Sequence, residues 1–164
     1  MEIKSSYTHR FGQVVDLVYR DIETTDQLEG RVVSCVHAFC FYNDKLLIVY
    51  QKEGGYWNPP GGAIEPGESI EAAVTREVRE ESNMKVITQK LIGFCDFHEP
   101  KGAVTQTRSV CLIEPFGDFV VDPDGDITRA ELIDSHDYKQ YFDWGIIGDR
   151  IMERALELYG ALKI

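Results

Sequence analysis

The sequence predicts one mixed α/β domain, and three features carry that reading. β-Branched and aromatic runs of strand length recur from Arg31 onward, as in VVSCVHAFCFY and KLLIVYQ. Two segments, about 70–82 and about 146–159, instead repeat apolar residues at a helical period. A chain of 164 residues is long enough for a single domain to bury roughly two-thirds of its unfolded surface. No internal repeat or low-complexity segment divides it. Residues 31–164 are read as the domain, and 1–30 as an N-terminal extension of unassigned role.

Within the extension, FGQVVDLVYRDIE is a strand candidate and TTDQLEG a polar connection ending in Gly30. VVSCVHAFCFY and KLLIVYQ flank a turn at Asn43-Asp44 and read as a hairpin with a largely buried first arm. Gly54, Gly55, Pro59, Pro60, Gly61 and Gly62 crowd the next stretch, and so many breakers predict an irregular loop. Ser69 is placed to cap a helix over Ile70 to Ser82. VITQKLIGFCDFH and AVTQTRSVCLIE return to the strand pattern, with Phe39, Phe41, Phe94 and Phe97 assigned to the core. DPDGD is a turn, DITRAELID a short strand and SHDYKQYFDWG irregular. Ile147, Ile151, Ala155 and Leu158 then line one face of the closing helix.

Composition narrows the function classes. Hydrophobic residues at 43% and charged residues at 27% are ordinary for a globular protein. No apolar run approaches the ~18 residues that span a bilayer, so no membrane partner is expected. MEIKSSYTHRFG lacks the apolar core of a signal peptide, and the expected compartment is cytoplasmic. Cys35, Cys40, Cys95 and Cys111 show no C-x-x-C spacing and sit in strand-like stretches. They are read as reduced, buried thiols rather than disulfides or a zinc site. A net charge of -11 opposes a nucleic-acid polymer as partner. It does not oppose a small phosphate-bearing substrate, because bound cations invert the local field.

The acidity is concentrated in residues 62–84, which hold six glutamates and two arginines and contribute -4 of the -11. Ile70, Ala73 and Val74 begin an apolar stripe whose continuation falls at 77, 78 and 81. Val78 obeys, but 77 and 81 are both glutamate. At 100° per residue, Glu77 and Glu81 lie within about 40° of each other, with Glu80 about 60° to the other side of Glu77. Like charges at these spacings cost roughly 0.2–0.5 kcal/mol each. Negative charge near a helix C-terminus costs roughly 0.3–1 kcal/mol more. A hard divalent cation removes both penalties and keeps waters that substrate phosphates can replace. The competing reading is a solvated helix held by i,i+4 pairs such as Arg76–Glu80. It leaves the Gly-rich approach to the helix unexplained.

The spacing resembles the Nudix box, G-x5-E-x7-R-E-U-x-E-E-x-G-U with U aliphatic. Here it reads Gly62, Glu68, Arg76-Glu77-Val78, Glu80-Glu81, Asn83 and Met84. The one departure is Asn83 in place of the second glycine. Asn is the next-best residue for the left-handed conformation expected where the helix closes. The preceding WNPPGGAIEPGE is also similar to the usual approach to the box. The resemblance implies a Nudix hydrolase with an α/β/α sandwich around a mixed β-sheet. It also implies cleavage of the phosphoanhydride of a nucleoside diphosphate linked to another moiety, with one to three Mg²⁺ or Mn²⁺ ions. Glu77, Glu80 and Glu81 match the carboxylate ligands, and the backbone carbonyl at Gly61 or Gly62 matches a further one. Arg76 matches the residue that orients the box glutamates, and Glu68 a supporting partner behind the ligands. The general base is open between Glu77 and Glu81 within the box and Glu114 and Glu131 outside it. The implied partner is a small nucleotide-type molecule, and the implied assembly a monomer or homodimer. The alternative class is a catalytically silent nucleotide-sensing or partner-binding module. Such modules usually lose box carboxylates, and this chain has lost none.

Other residues are weighed against plainer roles. Tyr56 and Trp57 either stack on a base or anchor their loop. Arg31, Lys52 and Arg108 are the basic residues best placed to meet phosphate, with solvated surface as the competing reading. His37, inside an apolar strand, reads as an internal histidine. DPDGD has Ile127 where a calcium loop needs Gly and Ile133 where it needs Glu, so it is read as a turn only. No Gly-Lys-Ser/Thr follows the glycines, which excludes a P-loop.

Overall fold

The computed structural model describes residues 1–8 and 11–163. Along the chain run β1 (Glu2–Thr8), β2 (Val14–Asp21), β3 (Val33–Tyr42), β4 (Lys45–Gln51), β5 (Tyr56–Asn58) and β6 (Gly61–Ala63). Then come α1 (Ile70–Ser82), β7 (Met84–Glu99), β8 (Gly102–Pro115), β9 (Ile127–Asp134) and α2 (Gly145–Leu162). The strands form one mixed sheet in the order β1-β2-β7-β8-β3-β4-β5, with β6 on β3 and β9 on β4. All pairings are antiparallel except β3 with β8.

Strand alternation sorts the apolar residues into two cores. Along β3, Val36, Ala38 and Cys40 face α1 together with Ala73, Val74 and Val78. Phe39 and Phe41 face α2 together with Ile147, Ile151 and Ala155. Along β8, Cys111 and Ile113 take the α1 side and Val110 and Leu112 the α2 side. The result is the expected three-layer α/β/α arrangement. The four cysteines are free thiols, three of them buried.

Several elements differ from the sequence-based expectation, each for a pairing reason. The Gly/Pro stretch holds two short strands, β5 and β6, because β4 and β3 offer it backbone partners. The β3–β4 pair is not a full hairpin. It is bonded only at Phe41↔Leu46 and Tyr42↔Lys45, beside a turn whose Asn43 and Asp44 have φ of 48° and 61°. Beyond that turn the strands diverge, and the segment from β5 to β6 crosses between them with Pro59 and Pro60 buried. The closing helix extends to Gly145–Leu162, and Ser135–Gln140 is a 3₁₀ turn rather than irregular. Residues 1–30 contribute β1 and β2, and β2 joins the main sheet through β7. Among the described residues, no helix is long and apolar enough to cross a membrane.

Candidate active site

α1 begins where Ser69 Oγ accepts the Ala72 N–H at 3.1 Å and ends where Asn83 takes φ 55°, ψ 35°. The Asn83 N–H closes on the Arg79 carbonyl at 2.9 Å, and its side chain donates to the Asp118 carbonyl at 2.9 Å. Between these caps the helix carries Arg76, Glu77, Glu80 and Glu81. Its C-terminal turn lies beside β6, which is bonded to β3 at His37↔Gly61 and Val36↔Gly62.

Glu81 is the buried member, 7% exposed, and its Oε1 accepts the Gly61 N–H at 2.7 Å. Burial pushes its carboxyl up to about 8. The Gly61 hydrogen bond opposes that, while the neighbouring Glu77, Asp122 and Glu80 add to it. Glu77 lies against Gly62 so closely that a Cβ there would sit 2.4 Å from Glu77 Oε1. Burial raises its pKa as well, against the pull of Arg76. Glycine at 62 therefore lets the Glu77 carboxylate lie directly against the backbone.

Arg76 organises the other side. Its Nε and Nη2 donate to both oxygens of Glu68 at 2.8 and 2.9 Å, and Nη1 to Glu77 at 2.9 Å and Glu80 at 3.3 Å. Nη2 also donates to the Ala63 carbonyl at 2.9 Å, tying helix to strand. The Arg76 hydrogen bonds, helped by the Glu65 N–H, hold the Glu68 carboxyl down at about 2. Arg76 thus links Glu68 to the box glutamates Glu77 and Glu80.

The sequence reading missed two acidic residues. The β8–β9 connection folds back so that Glu80, Asp122 and Asp124 each offer a carboxylate oxygen, all within 4.8 Å of one another. Asp122 is itself buried, 8% exposed. DPDGD is a turn, closed by Gly125 N–H on the Asp122 carbonyl at 2.7 Å, but it is also part of the acidic cluster. Only its place in the fold, opposite α1, reveals this. Hard oxygen donors gathered in this way could hold a divalent cation.

The remaining expected residues divide. Trp57 and Tyr56 line a cavity on the α2 side of the sheet, with Trp57 edge-on to Tyr141 at 5.9 Å and under Arg129 at 4.9 Å. Arg31 is not brought to the carboxylates, being paired with Asp96 at 3.2 Å and resting on Phe94. Lys52 is exposed on the loop after β4. Glu114 is exposed at the end of β8 and faces Lys85 at 3.8 Å. Glu131 pairs with Arg129 at 2.6 Å, and its neighbour Ala130 packs toward α1. Alternation thus turns Glu131 to the opposite face of the sheet from the box helix. Arg108 is not solvated surface but buried, 3% exposed. His37 lines the same cavity as Trp57.

Comparison with known proteins bears on the family and the fold. A family model described as NUDIX domain matches residues 32–154. The Nudix hydrolase YvcI of Bacillus subtilis is 39% identical over 67 residues, 41% of this chain and 40% of that protein. Nudix hydrolase 10 of Arabidopsis thaliana is 34% identical over 77 residues, 47% of this chain and 28% of that protein. The chain thus spans well under two-thirds of either relative. Among solved structures, the Bacillus subtilis pyrophosphohydrolase BsRppH superposes with TM-score 0.66 at 20% identity, covering 95% of this chain and 98% of that one. The NUDIX domain of Shewanella oneidensis NrtR, in complex with ADP ribose, superposes with TM-score 0.61 at 17% identity, covering 81% and 92%. Both likenesses concern the fold. With the box residues in place on α1 and the family match spanning most of the chain, this protein is a member of the Nudix family.

Proposed function

We propose that the chain is a metal-dependent pyrophosphohydrolase that cleaves the phosphoanhydride of a nucleoside diphosphate bearing a second moiety. The observation that carries this reading is Glu81. It is a buried carboxylate held on the Gly61 N–H at 2.7 Å, among the like-charged Glu77, Glu80 and Asp122. Folding alone gives no reason to gather these charges, whereas a divalent cation does. Glu77, Glu80 and Glu81 would hold Mg²⁺ or Mn²⁺, with the Gly62 carbonyl as a further donor and Asp122 and Asp124 at the Glu80 side. The bound ion supplies charge neutralisation on the diphosphate and a more acidic water.

The protein groups have separable tasks. Arg76 orients Glu77 and Glu80 and is itself held by Glu68. The Gly61 N–H fixes the direction of Glu81. Assigning the base within the box, to Glu77 or Glu81, is supported by the ion pairs that occupy Glu114 and Glu131 elsewhere. The ADP ribose bound by one solved neighbour favours a small nucleotide-type substrate over a polymer. Four free thiols suit a reducing, cytoplasmic setting.

The test is release of phosphate, pyrophosphate or nucleoside monophosphate from a panel in Mg²⁺. The panel comprises dinucleoside polyphosphates, nucleoside triphosphates, sugar nucleotides and nucleotide coenzymes. Glu81→Gln is expected to lower turnover by about 10²–10³ or more while the fold remains. Binding without turnover of any panel member would support the silent sensing module instead.

A further inference from the structure

The cavity on the α2 side of the sheet has a volume of about 850 Å³ and lies between β3, β8 and the start of α2. β3 and β8 run parallel with His37 opposite Arg108, and alternation aims both side chains into it together with Gln106. Arg108 is buried, yet among the described residues all its hydrogen-bond partners are neutral. Nη1 lies 3.3 Å from His37 Nδ1 and donates to the Thr107 carbonyl at 3.1 Å. Nη1 and Nη2 each lie 3.4 Å from Gln106 Oε1. Nε has no partner. The less deeply buried Arg150 and Arg154, by contrast, share the carboxylate of Asp21.

A buried guanidinium without a counter-charge is costly, and proteins ordinarily pair it. Nearby groups do not supply the charge. Burial, reinforced by Arg108 itself, pushes His37 down to about 3, so its ring is neutral. Asp143 stands at the exposed rim with its carboxylate on the Gly145 N–H at 2.9 Å. The cavity also adjoins the carboxylate site. Gly61 donates to Glu81, and a Cβ on it would meet the His37 ring at 2.8 Å. One strand therefore separates the two.

We propose that this cavity receives the part of the substrate beyond the scissile diphosphate, and that this part presents an oxyanion, phosphate or carboxylate, to Arg108 while its body lies against Trp57 and Trp144. The word substrate rests on the hydrolase reading; the binding itself does not. Arg108 is the specificity-determining residue, since any group placed there without negative charge leaves the guanidinium uncompensated.

Both tryptophans of the chain line the cavity, so intrinsic fluorescence reports its occupancy. The titration is run in EDTA with ribose 5-phosphate, gluconate, ribose and guanosine, with calorimetry in parallel. Ribose 5-phosphate or gluconate is expected to bind saturably and ribose to bind at least about tenfold more weakly, the loss of one charge-assisted contact. Preference between the two anions identifies phosphate or carboxylate. Arg108→Met is expected to abolish the preference without lowering the melting temperature, and Arg108→Lys to retain part of it. Ribose or guanosine binding as tightly as the anions overturns the proposal, as does unchanged anion binding in Arg108→Met. If the Met variant does not fold, the wild-type comparison and Arg108→Lys still decide. Failure of the hydrolase reading appears separately, as absent Mg²⁺-dependent turnover, and leaves this EDTA titration readable.

Discussion

Glu81→Gln separates what the site costs the fold from what it gives to chemistry. The side chain is 7% exposed, and its carboxyl is pushed up to about 8 by burial and by the surrounding acids. An unfolded glutamate titrates at an ordinary 4.5, so between about 4.5 and 8 the folded, metal-free protein binds more protons than the unfolded chain. Stability from this group is therefore full below 4.5 and is lost as pH rises through about 8. At pH 7 the deficit amounts to about 3 kcal/mol. Glutamine keeps an oxygen for the Gly61 N–H, carries no charge, and offers its amide to neighbouring carboxylates. In EDTA the variant should therefore melt above wild type by about 6–12 °C at pH 7, from about 2–4 °C per kcal/mol at this size. The gap should close by pH 4.5 and level off above 8. Mg²⁺ should raise the wild-type midpoint and scarcely move the variant. Thermal melts at four pH values with and without Mg²⁺ measure all of this. A variant that melts at or below wild type in EDTA at pH 7–8 would refute the view that Glu81 is held at a cost.

Gly62→Ala should push Glu77 aside, because the new methyl would sit 2.4 Å from Glu77 Oε1. Since a flexible side chain gives way, the expected result is weaker Mg²⁺ binding by calorimetry with a melting temperature within a few degrees of wild type. Asn83→Gly should be nearly neutral, whereas Asn83→Ala should cost about 1–2 kcal/mol in urea unfolding, because alanine at φ 55° is strained. Asp21 is held below the usual carboxylate range: burial pushes it up, but the hydrogen bonds and charge of Arg150 outweigh it. A lowered pKa contributes stability above the unfolded value and loses it as pH falls through the folded one. Asp21→Asn should thus melt lower than wild type at pH 7, with the difference vanishing as pH falls below 4.

How much of this was legible in the sequence follows the range of the interactions involved. α1 was readable to its ends, because Ser69, Asn83 and the interrupted apolar stripe are all local signals. Arg76, Glu77, Glu80 and Glu81 come together through helical spacing alone. β5 and β6 were hidden, since three-residue strands owe their existence to β4 and β3 rather than to propensity. β1 was hidden for a similar reason, having β2 as its one partner in the sheet order. Asp122 and Asp124 carry no spacing signature toward Glu80; about forty residues and a change of direction lie between them. Arg108 was recoverable. Gln106, Arg108, Val110 and Leu112 share one face of a strand, and the last two belong to the core, so the arginine had to point inward or into a cavity.

The divergence of β3 and β4 opens a gap that the segment from β5 to β6 fills. Two backbone pairs beside Asn43-Asp44 bond the strands directly. One side carries Trp57 through β4 and β5, and the other carries Arg108 through β3 and β8. The turn is not what fixes the distance between aromatic wall and guanidinium, because the Ala38 N–H donates to the Pro60 carbonyl at 2.8 Å and β6 pairs with β3. The segment that carries Trp57 is thus bonded to β4 before it and to β3 behind it, and a ligand touching both walls would meet a gap of fixed width.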